Sequence, residues 1–178
     1  MNESSTASPS TTPTRPLSAE ERQEQLAIYR AGYDTICSAL EGIGEDELDA
    51  REALGEWSPR EVVHHMADSE MTSAVRMRLL IAEDGPHIVA YDQEEFAAQL
   101  FYTERPIEAS LQAFRYARET AADIAERLTD EQWLRSGTHS ESGTYGLQEW
   151  LLVYADHAVI HADQIQRARA AYRNGTSA

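Results

Sequence analysis

Leu147, Trp150, Tyr154, His157, His161, Gln164 and Ala168 follow one another in alternating steps of three and four. That stepping is the buried seam of a helix in a bundle. Two of the seam positions, where core leucines are expected, hold histidines. His157 and His161 stand four apart and so share one helix face. Burying two imidazoles without partners costs free energy. The seam therefore calls for a compensating group, and two imidazoles on one face can chelate one divalent metal.

Three further segments carry helical signals. Ser18-Ala19-Glu20-Glu21 is a capping box, followed by a stripe of Leu26, Tyr29, Tyr33, Ile36, Leu40 and Ile43. Gly42 and Gly44 are placed to end that first helix. Ser58-Pro59-Arg60-Glu61 is a second capping box with proline at the first helical position, and helix two runs from there to about Ala82. Gly85-Pro86 stops it. Pro106 starts helix three, with a stripe of Leu111, Phe114, Ala121, Ile124 and Leu128. Helix four spans Gly146 to Arg173, with Asn174-Gly175 as its stop. His87 to Tyr102 reads as a long connection with a short helix near Glu94 to Leu100. Thr129 to Tyr145 reads as a polar loop, and the acidic run Glu45 to Asp49 as a solvated turn.

Four long amphipathic helices with little strand signal predict an all-α fold, a four-helix bundle. The long connection between helices two and three admits a topology other than simple up-and-down. Residues 1–17, rich in Ser, Thr and Pro, read as a disordered tail ahead of one domain, 18–178.

Composition narrows the function classes. The 178 residues carry a net charge of −16, with a pI near 4.6. Nucleic acids and anionic membrane surfaces both select basic patches, and none is evident. One cysteine, Cys37, excludes an internal disulfide framework and fits a reducing cytosol. No apolar run could span a bilayer, and no secretory signal is recognisable. The expectation is a cytoplasmic protein acting on a small molecule.

A catalytic zinc site commonly takes three protein ligands. The seam of helix two is Val62, His65, Ser69, Thr72 and Arg76, so His65 is the candidate third ligand. His64 points about a hundred degrees away around the same helix. Ser69 and Thr72 fill less space than leucine and leave room beside the candidate site. Around it, Asp68, Gln164 and Tyr154 are candidate catalytic or orienting residues. Asp68 could orient His65 or bind water, Gln164 lies one turn beyond His161, and Tyr154 could donate to a substrate. Arg76 could bind an anionic substrate group. Trp150, two turns before His157, could line a pocket.

Three blocks resemble a known family. Trp57-Ser58-Pro59-Arg60-Glu61-Val62-Val63-His64-His65-Met66-Ala67-Asp68-Ser69 is similar to a W-S-x-x-E segment of the DinB/YfiT superfamily that ends in H-hydrophobic-x-D-S. His157-Ala158-Val159-Ile160-His161-Ala162-Asp163-Gln164-Ile165 resembles its H-x-x-x-H-x-x-Q-I helix. Tyr91-Asp92-Gln93-Glu94-Glu95-Phe96 resembles a stretch of the YfiT branch. The resemblance implies a four-helix bundle that often dimerises. It implies a nickel or zinc ion on His65, His157 and His161. The implied activities are transfer of a low-molecular-weight thiol, thiol-dependent isomerisation and metal-dependent hydrolysis. The chain departs from the pattern at Ile160, where many members carry a further histidine, and at His64, where a small or apolar residue is common.

Three neutral imidazoles would leave a metal its full double charge, able to acidify a bound thiol or water. In H-E-x-x-H metalloproteases a glutamate after the first histidine serves as base. Here that position is Ala158. The expectation is thiol transfer to an electrophile, with hydrolysis of small amides or esters, or a non-catalytic binding bundle, as alternatives.

Overall fold

The computed structural model describes residues 15–176. Of the segment read as a tail, all but Arg15, Pro16 and Leu17 lies outside the described residues, and the Leu17 N–H donates to Gln148 Oε1 at 2.6 Å. In chain order the elements are α1 (Ala19–Leu40), α2 (Glu45–Leu48), α3 (Pro59–Ala82), β1 (His87–Ile88), α4 (Gln93–Gln99), α5 (Glu108–Ala125), α6 (Asp130–Trp133), β2 (Ser136–His139), β3 (Gly143–Gly146) and α7 (Leu147–Thr176). The four long helices α1, α3, α5 and α7 form the expected bundle. No described helix is long and apolar enough to cross a membrane.

Both capping boxes form. Ser18 Oγ accepts from the Glu21 N–H while Glu21 accepts from the Ser18 N–H at 2.7 Å. Ser58 and Glu61 repeat the exchange at 2.8 Å. Each box satisfies amides that the first helical turn leaves without partners. At the other end, α7 runs through Asn174 and Gly175 to Thr176, past the stop read from the sequence.

The core consists of two apolar clusters. Leu26, Met77, Ala121 and Trp150 belong to one; Ile36, Val62, Phe114 and Ile165 belong to the other. Along α1 and α7 the chain passes from the first cluster to the second, and along α3 and α5 it passes the opposite way. So α1 and α7 are parallel, and α3 and α5 are parallel. Helix α1 packs on α5 and α7, and α3 packs on the same two, which sets consecutive helices α1 and α3 across a diagonal. Neighbouring parallel helices need a crossover that returns the length of the bundle. Residues 83–107 supply it, and their return path lies along α3.

Two segments differ from the sequence reading. The expected polar loop, Thr129 to Tyr145, contains α6 and a hairpin. β2 pairs antiparallel with β3, and β1 adds in parallel, with His87 opposite Thr138. These strands are too short and too polar to show alternation. Gly137 permits the join, because a Cβ there would lie 2.1 Å from the Pro86 carbonyl oxygen. The second difference is the acidic run, which forms a helical turn whose Glu47 is buried. It pairs with Arg169 at 3.2 Å and Arg173 at 2.8 Å on α7. Arg169 also donates to the Ala39 and Glu41 carbonyls at the end of α1.

Candidate metal centre

The antiparallel packing of α3 against α7 brings three imidazoles together. His65 is buried on α3; His157 and His161 are half-buried, one turn apart, on α7. Their Nε2 atoms converge: His65 to His157 at 3.2 Å and His161 to His157 at 3.1 Å. All three candidate ligand atoms lie within 4.8 Å of one another. The rings of His157 and His161 meet edge to face, with centroids 4.5 Å apart.

This arrangement is frustrated as a hydrogen-bonded cluster. An imidazole nitrogen offers one in-plane lobe, either a proton or a lone pair. His157 Nε2 therefore cannot make good bonds to both neighbours, whatever tautomers are chosen. A cation among the three lone pairs would satisfy all of them at once. Charge state agrees, because ligating histidines must be neutral. Burial holds the pKa of His65 and of His157 well below the usual histidine value, helped for His157 by the charges of His161, His65 and Arg118. His161 is lowered by burial, against a hydrogen bond from its own ring to Gln164 Oε1. The donor set of three neutral nitrogens suits a divalent metal of the first transition row.

Gln164 is placed to orient a ligand: its Oε1 lies 2.8 Å from His161 Nδ1. A proton on Nδ1 commits Nε2 of that ring to acting as a lone-pair donor. The Nδ1 atoms of His65 and His157 are buried with no protein partner. Asp68 is therefore not the residue that orients His65. Its carboxylate instead accepts from the Tyr102 hydroxyl at 2.6 Å, which ties the crossover to α3. Tyr154 sets its ring edge-on to His157, centroids 5.8 Å apart, while its hydroxyl accepts from Arg76 Nη1 at 3.5 Å.

His64 faces elsewhere. It is buried between Ser110 Oγ at 2.7 Å and the Arg105 carbonyl at 3.1 Å. His87 and His139 lie on the sheet; His87 meets Thr138, and His139 stacks on Tyr145. Trp150 does not line the site. It packs on Tyr29 in the core and donates to Ser73 Oγ at 2.7 Å. Trp57 takes the place expected of it, with its ring centroid 4.7 Å from that of His65 and its Nε1 donating to Glu94 at 3.3 Å. Trp57 lies ahead of the second capping box, outside any helical period, so its only sequence signal is its place at the head of the W-S-x-x-E block.

A helical bundle with imidazoles from facing helices turned onto one point has the architecture on which bundle metal sites are built. Comparison with known proteins specifies the family: the chain belongs to the DinB superfamily, whose family model matches residues 28–165. A protein of Oceanobacillus iheyensis named "Putative metal-dependent hydrolase" is 32% identical over 123 residues, 69% of this chain and 71% of its own length. A protein of the same name from Halalkalibacterium halodurans is 27% identical, covering 84% of this chain and 90% of its own. Among solved structures, YfiT from Bacillus subtilis, described as a probable metal-dependent hydrolase with an unusual four-helix bundle topology, superposes with a TM-score of 0.82. It is 25% identical, covering 92% of this chain and 93% of that one. The mycothiol-dependent maleylpyruvate isomerase shares the fold at a TM-score of 0.63 and 17% identity, over 81% of this chain and 60% of its own.

Proposed function

We propose that the protein is a divalent-metal-dependent enzyme of small-molecule chemistry, with zinc or nickel held by His65, His157 and His161, and that it transfers a low-molecular-weight thiol to an electrophile. The convergence of three Nε2 atoms carries this reading. A divalent metal bound there would be a Lewis acid that lowers the pKa of a thiol or water reaching it.

The chain's own groups do the rest. Gln164 holds the His161 ring in one tautomer. Trp57 packs its ring against that of His65. Among the described residues, no carboxylate joins the three-histidine group. Asp68, the acid nearest in sequence to His65, is engaged by Tyr102. A thiol that loses its proton on binding needs less help from a base than amide hydrolysis does, which favours thiol transfer. Hydrolysis of small amides or esters is the second reading, supported by the names of the relatives.

The test is metal content and turnover of tag-free protein. Stoichiometric metal should fall sharply in His65→Ala, His157→Ala and His161→Ala, and unchanged content would reject the centre. Metal-loaded protein given thiols and a chromogenic electrophile should turn over. Cleavage of ester or amide probes with no thiol transfer would replace the first reading by the second.

A further inference from the structure

Among the described residues, Arg76 is a cation without a carboxylate partner. The chain has 31 acidic and 15 basic side chains, and most of its arginines pair with an acid. Among the described residues, no carboxylate lies within ion-pairing distance of Arg76. Its contacts orient it without neutralising it. Nη2 donates to the Val89 carbonyl at 2.9 Å, Nη1 approaches the Tyr154 hydroxyl at 3.5 Å, and the guanidinium carbon sits 5.7 Å from the Tyr91 ring centroid. Its Nε–H is buried with no acceptor. A half-buried charge with an unused donor costs free energy until an anion meets it.

Arg76 also lies on the face of α3 that carries His65. On α3 it shares a seam with His65, Ser69 and Thr72, and long helical side chains lean toward the helix N-terminus, here toward His65. Ser69 and Thr72 between them are small. Tyr154 bridges the same gap on α7, with its hydroxyl at Arg76 and its ring against His157. The hydroxyls of Tyr91 and Tyr154 both interact with Ser69, and a phenol hydroxyl can donate a hydrogen bond. A guanidinium beside two phenols and a serine hydroxyl is a donor set for a carboxylate.

We infer that Arg76, with Tyr154 and Tyr91, forms a subsite that anchors a carboxylate of the small molecule whose other end reacts at the histidine centre. The inference rests on the metal-centre reading for the reacting end only; the anchor itself needs no metal. The carboxylate could belong to the thiol or to its acceptor.

Calorimetry of metal-free protein with propionate tests the anchor. Binding should be about tenfold weaker in Arg76→Gln, the size of one charge-assisted hydrogen bond, and intermediate in Arg76→Lys. Equal propionate affinity in wild type and Arg76→Gln would overturn the inference. Cobalt(II)-loaded protein then identifies the source through thiolate absorption. Tighter binding of 3-mercaptopropionate than of 2-mercaptoethanol, lost in Arg76→Gln, places the carboxylate on the thiol. Propionate binding alongside saturating 3-mercaptopropionate places it on the acceptor. Unchanged 2-mercaptoethanol affinity in Arg76→Gln reports an intact fold. If no thiol produced a cobalt band, the thiol chemistry would fail, while the propionate comparison would still decide the role of Arg76.

Discussion

Two of the polar clusters enclosed by this bundle differ in whether the protein satisfies them. Between the two apolar clusters, Arg118 of α5 meets Glu70 of α3 at 2.8 Å, with both side chains almost wholly buried. Arg118 also donates to the Tyr29 carbonyl at 2.7 Å and to the Tyr154 carbonyl at 2.9 Å, and the Tyr29 hydroxyl donates to the second oxygen of Glu70. The guanidinium lies over the Tyr29 ring at 4.3 Å. A Cβ on Gly32 would come within 1.9 Å of Arg118 Nη1, so only glycine leaves room for it. The node joins all four long helices across both diagonals, with every carboxylate oxygen engaged. One to two turns away, the three histidines share contacts that no placement of protons satisfies. A closed network holds structure together, whereas an open one is built to receive something.

Removing half of the closed cluster should give the largest effect. Arg118→Met leaves Glu70 buried and unpaired, and should cost about 3–5 kcal/mol in denaturant unfolding. Combining it with Glu70→Leu and Tyr29→Phe should restore most of that loss. A mild effect of Arg118→Met alone would show that the node is not the bundle's structural clasp.

Acid should separate the clusters next. The three site histidines have folded pKa values below 6.5, and below that pH the unfolded chain binds the more protons. Their contribution to stability is therefore present above about pH 6.5 and lost as pH falls toward the lower folded values. Metal-free protein should lose stability over that window, and saturating zinc should shift the loss to lower pH, because protons and metal compete for the same nitrogens. Thermal melts from pH 7.5 to 5 with and without zinc would show it, and identical profiles would remove the distinction between open and closed clusters.

His64→Ala should have the smallest effect. It loses the bonds to Ser110 and the Arg105 carbonyl, about 0.5–1.5 kcal/mol each, and leaves metal content unchanged. Loss of metal in this variant would mean that the centre extends beyond the three converging rings.

The sequence by itself determined what lies along each helix. The capping boxes at Ser18 and Ser58, the four long helices, the choice of His65 over His64 as the seam residue and the pairing of His157 with His161 all follow from periods of three and four and from local hydrogen bonding. Tertiary structure decided what meets across helices. Glu70 and Arg118 look like ordinary surface charges in a helical pattern, and they become a core only because α3 and α5 run parallel. Trp57 reaches His65, Tyr102 takes Asp68 away from it, and Glu47 leaves solvent for Arg169, each through a contact between segments distant in the chain. Helical periodicity reports which side of an element is buried. It carries no information on which partner the buried side will find, because that depends on crossover path and helix direction, and these are set by the packing of the whole.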